Sequence, residues 1–293
     1  MNSTSMLDYI ADFILRHTPH SGVFQTEIPE LKLYRITSSS FIERSSGTIQ
    51  TSLIVKGHKA TTIGQQVYKY GEGQGLVCGV ASPSEFQVFG ASEDKPFLAL
   101  SVNLDLQILM EYSRQFSFSS MKSQPCETVF VIRPDEDLLN CFGMLLQLLE
   151  KPKLLNMRAP LVLKLLHILL LDSACGAALR NLASVGSESY AVLQSVNWIR
   201  EHFADNCYVE DLARQANMSL ATFYRHFRQA TGYSPLQFRK KVRLLEGRKL
   251  LLSRTQNVTS VAAAVGYDNL SQFVKDYKDL FGEPPLRDIK NNL

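Results

Sequence analysis

The sequence has little net charge and few of the residues that mark a disulfide-stabilised or zinc-binding protein. Its 293 residues carry a formal net charge of only +3, which does not by itself indicate a nucleic-acid binder. The cysteines are widely spaced, with no Cys-x-x-Cys pair and no Cys/His cluster. There are five cysteines, an odd number: Cys78, Cys126, Cys141, Cys175 and Cys207. This pattern argues against a disulfide framework or a zinc site and indicates reduced thiols in the cytoplasm.

The sequence also shows no pattern typical of a targeting segment or a membrane-spanning segment. The N-terminus has neither a basic region nor a long apolar run, so we expect no signal peptide. The longest apolar stretch, 161–171, is interrupted by Lys164 and His167 and is too short and too polar to span a bilayer. The composition, 45% hydrophobic and 20% charged, predicts a globular protein, and the length predicts about two domains.

The C-terminal third of the chain contains the same sequence pattern twice. The second copy follows the first at an offset of 50 residues, so that Phe223 corresponds to Phe273, Gly232 to Gly282 and Pro235 to Pro285. A fixed offset over many positions predicts one supersecondary unit that is built twice.

Each copy predicts a helix-turn-helix motif, the first at 209–232 and the second at 258–282. In both, a short helix with one apolar face is followed by a turn, a polar N-cap and a second helix. The N-caps are Ser219 and Asn269, and a glycine ends each second helix. A single motif of this kind can also be an ordinary helical hairpin, but its duplication favours DNA binding.

The segment that joins the two motifs predicts a long basic helix from about 236 to 252. It contains six cations against one acid, Glu246. Beside two helix-turn-helix motifs we interpret this stripe as phosphate-binding, although a solvated charged face is the alternative. Gly247 is unexpected inside the helix, where alanine would be more favourable by up to about 1 kcal/mol.

These residues resemble the DNA-binding domain of the AraC/XylS family of bacterial transcription regulators. The resemblance covers roughly 192–289 and rests on motifs in both copies: Asp211-Leu-Ala-Arg, Arg225-His-Phe, Val265-Gly-Tyr and Ser271-Gln-Phe. It implies two motifs that occupy successive major grooves of a double-stranded promoter site. It further implies a cytoplasmic regulator that works with RNA polymerase, most often as an activator.

The resemblance implies that the second helix of each motif contacts base edges in the major groove. The predicted base-reading residues are Ala221, Thr222, Tyr224, Arg225, Leu270, Ser271, Gln272 and Lys275. The predicted phosphate contacts are Ser219, Arg228, Arg239, Lys240, Lys241, Asn269 and Lys278. Asp268, Asp276 and Asp279 depart from the family pattern, and they predict that the second motif binds DNA more weakly or only conditionally.

The region upstream predicts strands and then helices. Short alternating runs with glycine turns between about 22 and 103 are typical of a small sandwich or barrel. Three helices are expected after it, at 106–116, 138–149 and 160–182. We therefore predict an α+β protein: a β-barrel domain with helices at 1–183, a linker at 184–189, and an all-α domain at 190–293.

The strand region is similar to the cupin-like regulatory domain that precedes the DNA-binding domain in many AraC-type proteins. The similarity rests on Tyr68-x-Tyr-Gly-x-Gly, Pro96-Phe-Leu and Leu179-Arg-x-Leu-Ala. It implies binding of a small-molecule effector, which it does not identify, or dimerisation. The surplus apolar surface of the helix at 160–182 makes it a candidate homodimer interface.

The alternative function is that of a cupin-type enzyme with an accessory helical module. Such an enzyme holds a metal with converging histidines and a carboxylate, whereas His58 is alone among the predicted strands. We therefore expect no catalytic residue, metal or cofactor. Cys78 is the one candidate sensor in the unidentified effector pocket, and a buried apolar role is the alternative for this thiol.

Overall fold

The computed structural model describes residues 3–116, 127–253 and 256–291, so that Cys126 lies outside the described residues. Within these residues, two β-sheets with five helices form the N-terminal part, and seven further helices form the C-terminal part. The predicted α+β class, with strands first and an all-helical domain after them, is confirmed.

Ten strands of the described residues form two antiparallel sheets. They are β1 (Gly22–Gln25), β2 (Leu31–Ile36), β3 (Ile42–Ser45), β4 (Gln50–Lys56), β5 (His58–Ile63), β6 (Gln66–Gly71), β7 (Gly75–Cys78), β8 (Ser84–Phe89), β9 (Phe97–Asn103) and β10 (Val129–Ile132). The larger sheet has the order β1-β2-β9-β4-β7-β10, and the smaller has the order β3-β8-β5-β6.

The larger sheet is buried on both faces. Along β9, Phe97 and Ala99 belong to an apolar cluster inside the barrel, whereas Leu98 and Leu100 pack into a second cluster with the helices. Alternate side chains of a strand point to opposite faces, so the near-continuous apolar run of β9 follows from its central position.

Five helices cover the outer face of this sheet. They are α1 (Ser3–His17), α2 (Leu106–Ser113), α3 (Glu136–Leu149), α4 (Pro152–Asp172) and α5 (Gly176–Ala183). Asp105 caps α2 and Asp135 caps α3, each by accepting a hydrogen bond from a backbone N–H of the first turn.

Two predictions for this domain need correction. The barrel does not end near residue 103, because β10 returns after α2 and pairs with β7. The single helix expected at 160–182 is two helices, since α4 starts eight residues earlier and the chain turns before α5. The turn is tight: a Cβ atom on Gly176 would lie 2.1 Å from the carbonyl oxygen of Leu171.

The corrected length of α4 changes one further expectation. By length and composition alone, this helix of 21 residues could cross a membrane, and it is the one such helix among the described residues. Leu166, Leu170 and Leu171 of α4 are nevertheless fully buried in the core of the N-terminal domain. Its apolar character is therefore accounted for in part by packing against the other helices.

The C-terminal domain starts after a short connection at 184–187. Its helices are α6 (Glu188–Glu201), α7 (Val209–Gln215), α8 (Leu220–Thr231), α9 (Pro235–Leu252), α10 (Val258–Ala264), α11 (Leu270–Phe281) and α12 (Pro285–Asn291). Ser187 caps α6 by accepting from the N–H of Tyr190, so the last two residues of the predicted linker are helical.

Candidate nucleic-acid interface

The first helix-turn-helix motif consists of α7, a four-residue turn at 216–219 and α8. Asn217 turns the chain with a φ of 53°, and the N–H of Met218 donates to the carbonyl of Ala213 at 2.9 Å. The Ser219 side chain then accepts from the N–H of Thr222 at 3.2 Å. The two hydrogen bonds satisfy backbone groups that a helix end leaves free, and together with the positive φ of Asn217 they fix the angle between the two helices.

The second motif repeats this geometry with different residues. Gly266 takes the place of the positive-φ asparagine, with a φ of 83°, and the N–H of Tyr267 donates to Ala262 at 2.9 Å. The Asn269 side chain accepts from the N–H of Gln272 at 3.1 Å. In both motifs a left-handed glycine closes the second helix, Gly232 after α8 and Gly282 after α11.

The joining helix α9 packs against both motifs. Phe227 of α8 meets Phe238 of α9 edge to face, with ring centroids 5.6 Å apart. Phe273 of α11 lies over Gly247, where an added Cβ atom would be 3.3 Å from the ring. The glycine that is unfavourable for the helix thus leaves space for a buried aromatic side chain.

The eight residues predicted to contact bases lie on the outer surfaces of α8 and α11. Thr222 and Tyr224 are half-buried, and the other six are exposed. Arg225 donates to Nε2 of His226 at 3.1 Å. Both helices therefore offer hydrogen-bonding groups to a duplex, and the assignment of individual base contacts remains a prediction.

The residues predicted to contact phosphates fall into two groups. Ser219, Asn269 and Lys278 are exposed, and Arg239 is half-buried. The other three make contacts within the protein: Arg228 donates to Gln65 at 3.3 Å, Lys240 donates to Asp276 at 2.6 Å, and the Lys241 ammonium lies 5.3 Å from the Tyr233 ring centroid. The basic stripe on α9 is therefore less available than its sequence indicates.

Asp276 has a different position from the one that its sequence context suggested. Its side chain is 7% exposed and accepts hydrogen bonds from Lys240, Gln272 and Tyr267, the last at 3.2 Å. Burial alone would raise the pKa of Asp276, but the bonds from Lys240 and Gln272 hold this pKa below its ordinary value. The Asp276 carboxylate is thus paired inside the domain, whereas Asp268 and Asp279 are exposed. That these acids weaken DNA binding stays a prediction.

A second buried carboxylate joins three helices of the same domain. Asp288 of α12 accepts from Nε and Nη2 of Arg248 at 2.7 and 3.0 Å, and from the Tyr277 hydroxyl at 2.5 Å. Arg243 donates to the carbonyl oxygens of Phe203 and Ala204, at 2.5 and 2.8 Å. Arg248 and Arg243 therefore stabilise the domain rather than extending the basic stripe.

The first motif also contacts the barrel. The turn between β5 and β6 lies against the end of α8, where a Cβ atom on Gly64 would be 2.2 Å from the carbonyl oxygen of Gly232. The Thr128 hydroxyl donates to the carbonyl of Ala230 at 2.6 Å, and the Tyr233 hydroxyl donates to the carbonyl of Pro83 at 3.1 Å. These contacts hold the first motif in one orientation relative to the barrel.

A cleft of about 910 Å³ continues this contact along α8. Tyr224 and Arg225 line it from the DNA-binding domain, and Gln66, Tyr68 and Glu127 line it from the barrel. One flank of the helix predicted to contact bases therefore faces the regulatory domain instead of open solvent.

The barrel contains one thiol that the sequence singled out, Cys78. In residues 3–116, 127–253 and 256–291, no three histidine, cysteine or acidic side chains are grouped so that they could hold a metal ion. Cys78 is buried, and burial raises the pKa of its thiol to about 12. A thiol with this pKa stays protonated at neutral pH, which favours the buried apolar role of Cys78 over the sensor role.

For some of these residues the sequence contains a local signal that the predictions above did not use. Asp276 lies between Phe273 and Tyr277 at helical spacing, so an acid on the inward face was already visible. The partners of Thr128 and Gln65 had no such signal, because they lie in the other domain and are distant in the sequence.

Comparisons with known proteins agree with this arrangement. A family model described as the AraC-type transcriptional regulator N-terminus matches residues 27–178, and a helix-turn-helix domain model matches residues 212–290. The HTH-type transcriptional activator RhaS of Klebsiella pneumoniae (strain 342) is 33% identical over 97 residues, which are 33% of this chain and 34% of RhaS. RhaS of Salmonella schwarzengrund (strain CVM19633) is 30% identical over 142 residues, 48% of either protein.

Solved structures share the overall fold at low identity. ToxT from Vibrio cholerae strain SCE256, with an unsaturated fatty acid bound, has a TM-score of 0.57 and 8% identity over 88% of this chain and 94% of ToxT. ToxT from Vibrio cholerae O395 has a TM-score of 0.55 and 7% identity over 88% of this chain and 96% of ToxT. The two-domain fold is therefore shared, while the chain spans at most about half the length of the curated RhaS proteins quoted above.

Proposed function

Because this chain belongs to the family of AraC-type transcriptional regulators, we propose that it is a sequence-specific DNA-binding protein that regulates transcription in the cytoplasm, and not an enzyme. The duplicated helix-turn-helix geometry is the observation that carries this proposal. Two exposed helices of equal length, each with a polar N-cap and a left-handed glycine at its end, can occupy major grooves of double-stranded DNA.

The direction of regulation follows from the relatives. The RhaS proteins are named transcriptional activators, so we propose activation of a promoter together with RNA polymerase. Binding in successive grooves requires a site about two helical turns long. Selection of genomic DNA fragments by the full chain at two salt concentrations, followed by sequencing, tests this site length directly. A shared site of one turn would limit recognition to a single motif.

Arg225→Ala is expected to weaken binding to the selected DNA site by about 1–3 kcal/mol, which is about 5- to 150-fold. The reason is that a guanidinium on the exposed face of α8 can donate two hydrogen bonds to guanine. Fluorescence anisotropy with the selected duplex and with a scrambled duplex measures the effect. Arg287→Ala, an exposed arginine on α12, is the matched control. An equal loss on the scrambled duplex would assign Arg225 to phosphate instead.

The contacts between the barrel and α8 support a proposal for control by a small molecule. ToxT has been solved with an unsaturated fatty acid bound and with (E)-4-(8-methylnaphthalen-1-yl)but-3-enoic acid bound, so that protein binds carboxylic acids. For the present chain we propose an effector in the barrel domain that alters the Gly64–Gly232 contact. Movement of the first motif would then change access to the flank of α8 that faces the barrel.

The double variant Gln65→Ala/Thr128→Val is expected to tighten DNA binding about 3- to 10-fold without effector, because two hydrogen bonds that hold α8 on the barrel are lost. Lys69→Ala, which replaces an exposed lysine on β6, is the control and should leave the affinity unchanged. Anisotropy titration of the selected duplex gives both values. Unchanged affinity of the double variant would mean that the barrel contacts are compatible with DNA binding.

The exposed face of α4 supports the proposal of a homodimer. Four large apolar side chains, spaced by three or four residues, form a stripe along one face of this helix. They are Leu154, Met157, Leu161 and Leu165, with 42%, 74%, 66% and 40% of their surface exposed. A two-fold axis across such a stripe pairs it with the same stripe of a second copy.

Met157→Lys/Leu161→Lys is expected to convert a dimer to a monomer, because two like charges per chain would face each other in the interface. Sedimentation equilibrium measures the mass, and Lys153→Met on the same helix is the control. A double variant that stays dimeric would place the dimer contact elsewhere. A monomeric wild-type protein would contradict the homodimer proposal.

A further inference from the structure

The seventh residue of α8 and the seventh residue of α11 are both polar and largely buried. They are His226 and Asp276, which are 50 residues apart and therefore equivalent in the two motifs. Only 12% of the His226 side chain and 7% of the Asp276 side chain are exposed. Burial of a polar side chain costs stability unless it is hydrogen-bonded, so a polar residue repeated at this position indicates a role in addition to packing.

In both helices this residue accepts a hydrogen bond from a nearby residue that is predicted to contact bases. Nε2 of His226 accepts from the Arg225 guanidinium at 3.1 Å. Oδ1 of Asp276 accepts from the Gln272 side-chain amide at 2.9 Å. An arginine side chain has donors only, so the imidazole nitrogen is the acceptor in the first pair. Two different side chains thus make the same kind of contact at the same place in the two motifs.

A charged side chain from another helix lies against each of these two residues. Oε2 of Glu188 in α6 is 3.3 Å from Nδ1 of His226, a buried nitrogen that makes no hydrogen bond within the described residues. At this distance the carboxylate attracts a proton on that nitrogen. Lys240 of α9 donates to Asp276 at 2.6 Å. The rest of the domain therefore helps to set the orientation of the seventh residue in each motif.

We propose that His226 is a positioning residue for DNA recognition, which holds the Arg225 guanidinium in the orientation in which it contacts a base. Asp276 has the equivalent role for Gln272 in the second motif. The guanidinium is a rigid fork of N–H donors, so one bond to His226 leaves a free edge for a bidentate contact to guanine. An arginine that is already oriented loses less side-chain entropy when it binds. This inference rests on the proposed function, since it names residues that set the specificity of the proposed DNA site.

His226→Leu is expected to weaken binding to the selected duplex about 3- to 10-fold and to leave binding to the scrambled duplex unchanged, because leucine provides no acceptor for Arg225. His226→Gln should keep most of the affinity, since its amide oxygen can accept from the guanidinium. Fluorescence anisotropy with both duplexes measures these values. His202→Leu is the matched control, because His202 is a half-buried histidine of the same domain that stacks on Trp198.

A double-mutant cycle separates positioning from packing. In the Arg225→Ala background, His226→Leu should cause no further loss of affinity, because the side chain that His226 orients is then absent. An equal loss in both backgrounds, or an equal loss on the scrambled duplex, would show that His226 only stabilises α8 and would overturn the proposal. So would a His226→Gln variant that binds the selected duplex as weakly as His226→Leu does.

The contact can also be measured by NMR on the full chain without DNA, even if His226→Leu does not fold. The ring nitrogen resonances of His226, identified by their absence from His226→Gln, should shift in Arg225→Ala and in Glu188→Gln. Arg214→Ala, which replaces an exposed arginine on α7, should leave them unchanged. Resonances that stay unchanged in all three variants would overturn the proposal.

Failure of this inference is distinguishable from failure of the proposed function. If the wild-type chain selected no DNA site, the proposed function would fail and the inference with it. If the wild-type chain selected a site that His226→Leu bound equally tightly, only the positioning role of His226 would fail.

Discussion

Asp288→Ala is expected to lower the free energy of unfolding of the C-terminal domain by about 3–5 kcal/mol. The Asp288 side chain is 4% exposed and accepts three hydrogen bonds from Arg248 and Tyr277. Its removal would leave a largely buried guanidinium and a buried hydroxyl without their acceptor. Urea unfolding followed by circular dichroism measures the change.

Asp211→Ala is the matched control for this variant. Asp211 also pairs with an arginine, but both side chains are more than half exposed, 52% for Asp211 and 79% for Arg214. Solvent screening should limit its loss to less than about 1 kcal/mol. If the two variants were equally stable, the buried network around Asp288 would contribute no more to the free energy of unfolding than a surface ion pair does.

The same network predicts how stability depends on pH. Burial would raise the pKa of Asp288, but hydrogen bonds from Arg248 and Tyr277 outweigh burial and hold the pKa below its ordinary value. A depressed carboxyl pKa in the folded state stabilises the protein above the unfolded pKa of about 3.9, and this stabilisation is lost as the pH falls further. The contribution is therefore complete at neutral pH.

Asp276→Ala is expected to weaken specific DNA binding about 10-fold and to lower stability by about 2 kcal/mol. The estimate for stability is smaller than that for Asp288 because the Lys240 side chain is 49% exposed. Without the carboxylate, Lys240 and Gln272 lose the bonds that orient them between α9 and α11. Both residues are among the predicted DNA contacts.

The opposite result, tighter DNA binding by Asp276→Ala, would have a different physical cause. If Asp276 acted mainly by repelling phosphates, its removal would tighten DNA binding and raise the salt dependence. Asp279→Ala is the control, since Asp279 is exposed on the same helix and a repulsive role predicts tighter binding for this variant too. Anisotropy titrations at two salt concentrations distinguish the two roles.

The local parts of the C-terminal fold could be predicted from sequence. The bounds of α8 follow from Ser219 and Gly232, and those of α11 follow from the second copy of the same signals. Capping and helical periodicity act within a few residues, so they are readable without a structure. The membership of the chain in a known family could be inferred from the sequence for the same reason.

The parts that depend on distant residues could not be predicted in this way. The strand β10 pairs with β7 across more than fifty residues, and its four residues carry no alternation long enough to be recognised. Lys240, the cationic partner of Asp276, is 36 residues away on another helix. A charge that looks repulsive beside its neighbours in the sequence is neutralised by a residue that only folding brings near.

The apolar cluster inside the barrel continues into the first motif, and this continuity has a consequence for recombining such proteins. Ile63 and Val88 of the barrel share one buried cluster with Leu193 and Phe227, whereas Phe273 belongs to a separate cluster in the second motif. A chimaera joined at 184–187 would cut this cluster and expose apolar surface on both halves. A junction within α9 would keep the barrel and the first motif together, so the second motif is the natural unit to exchange when the target sequence is to be altered.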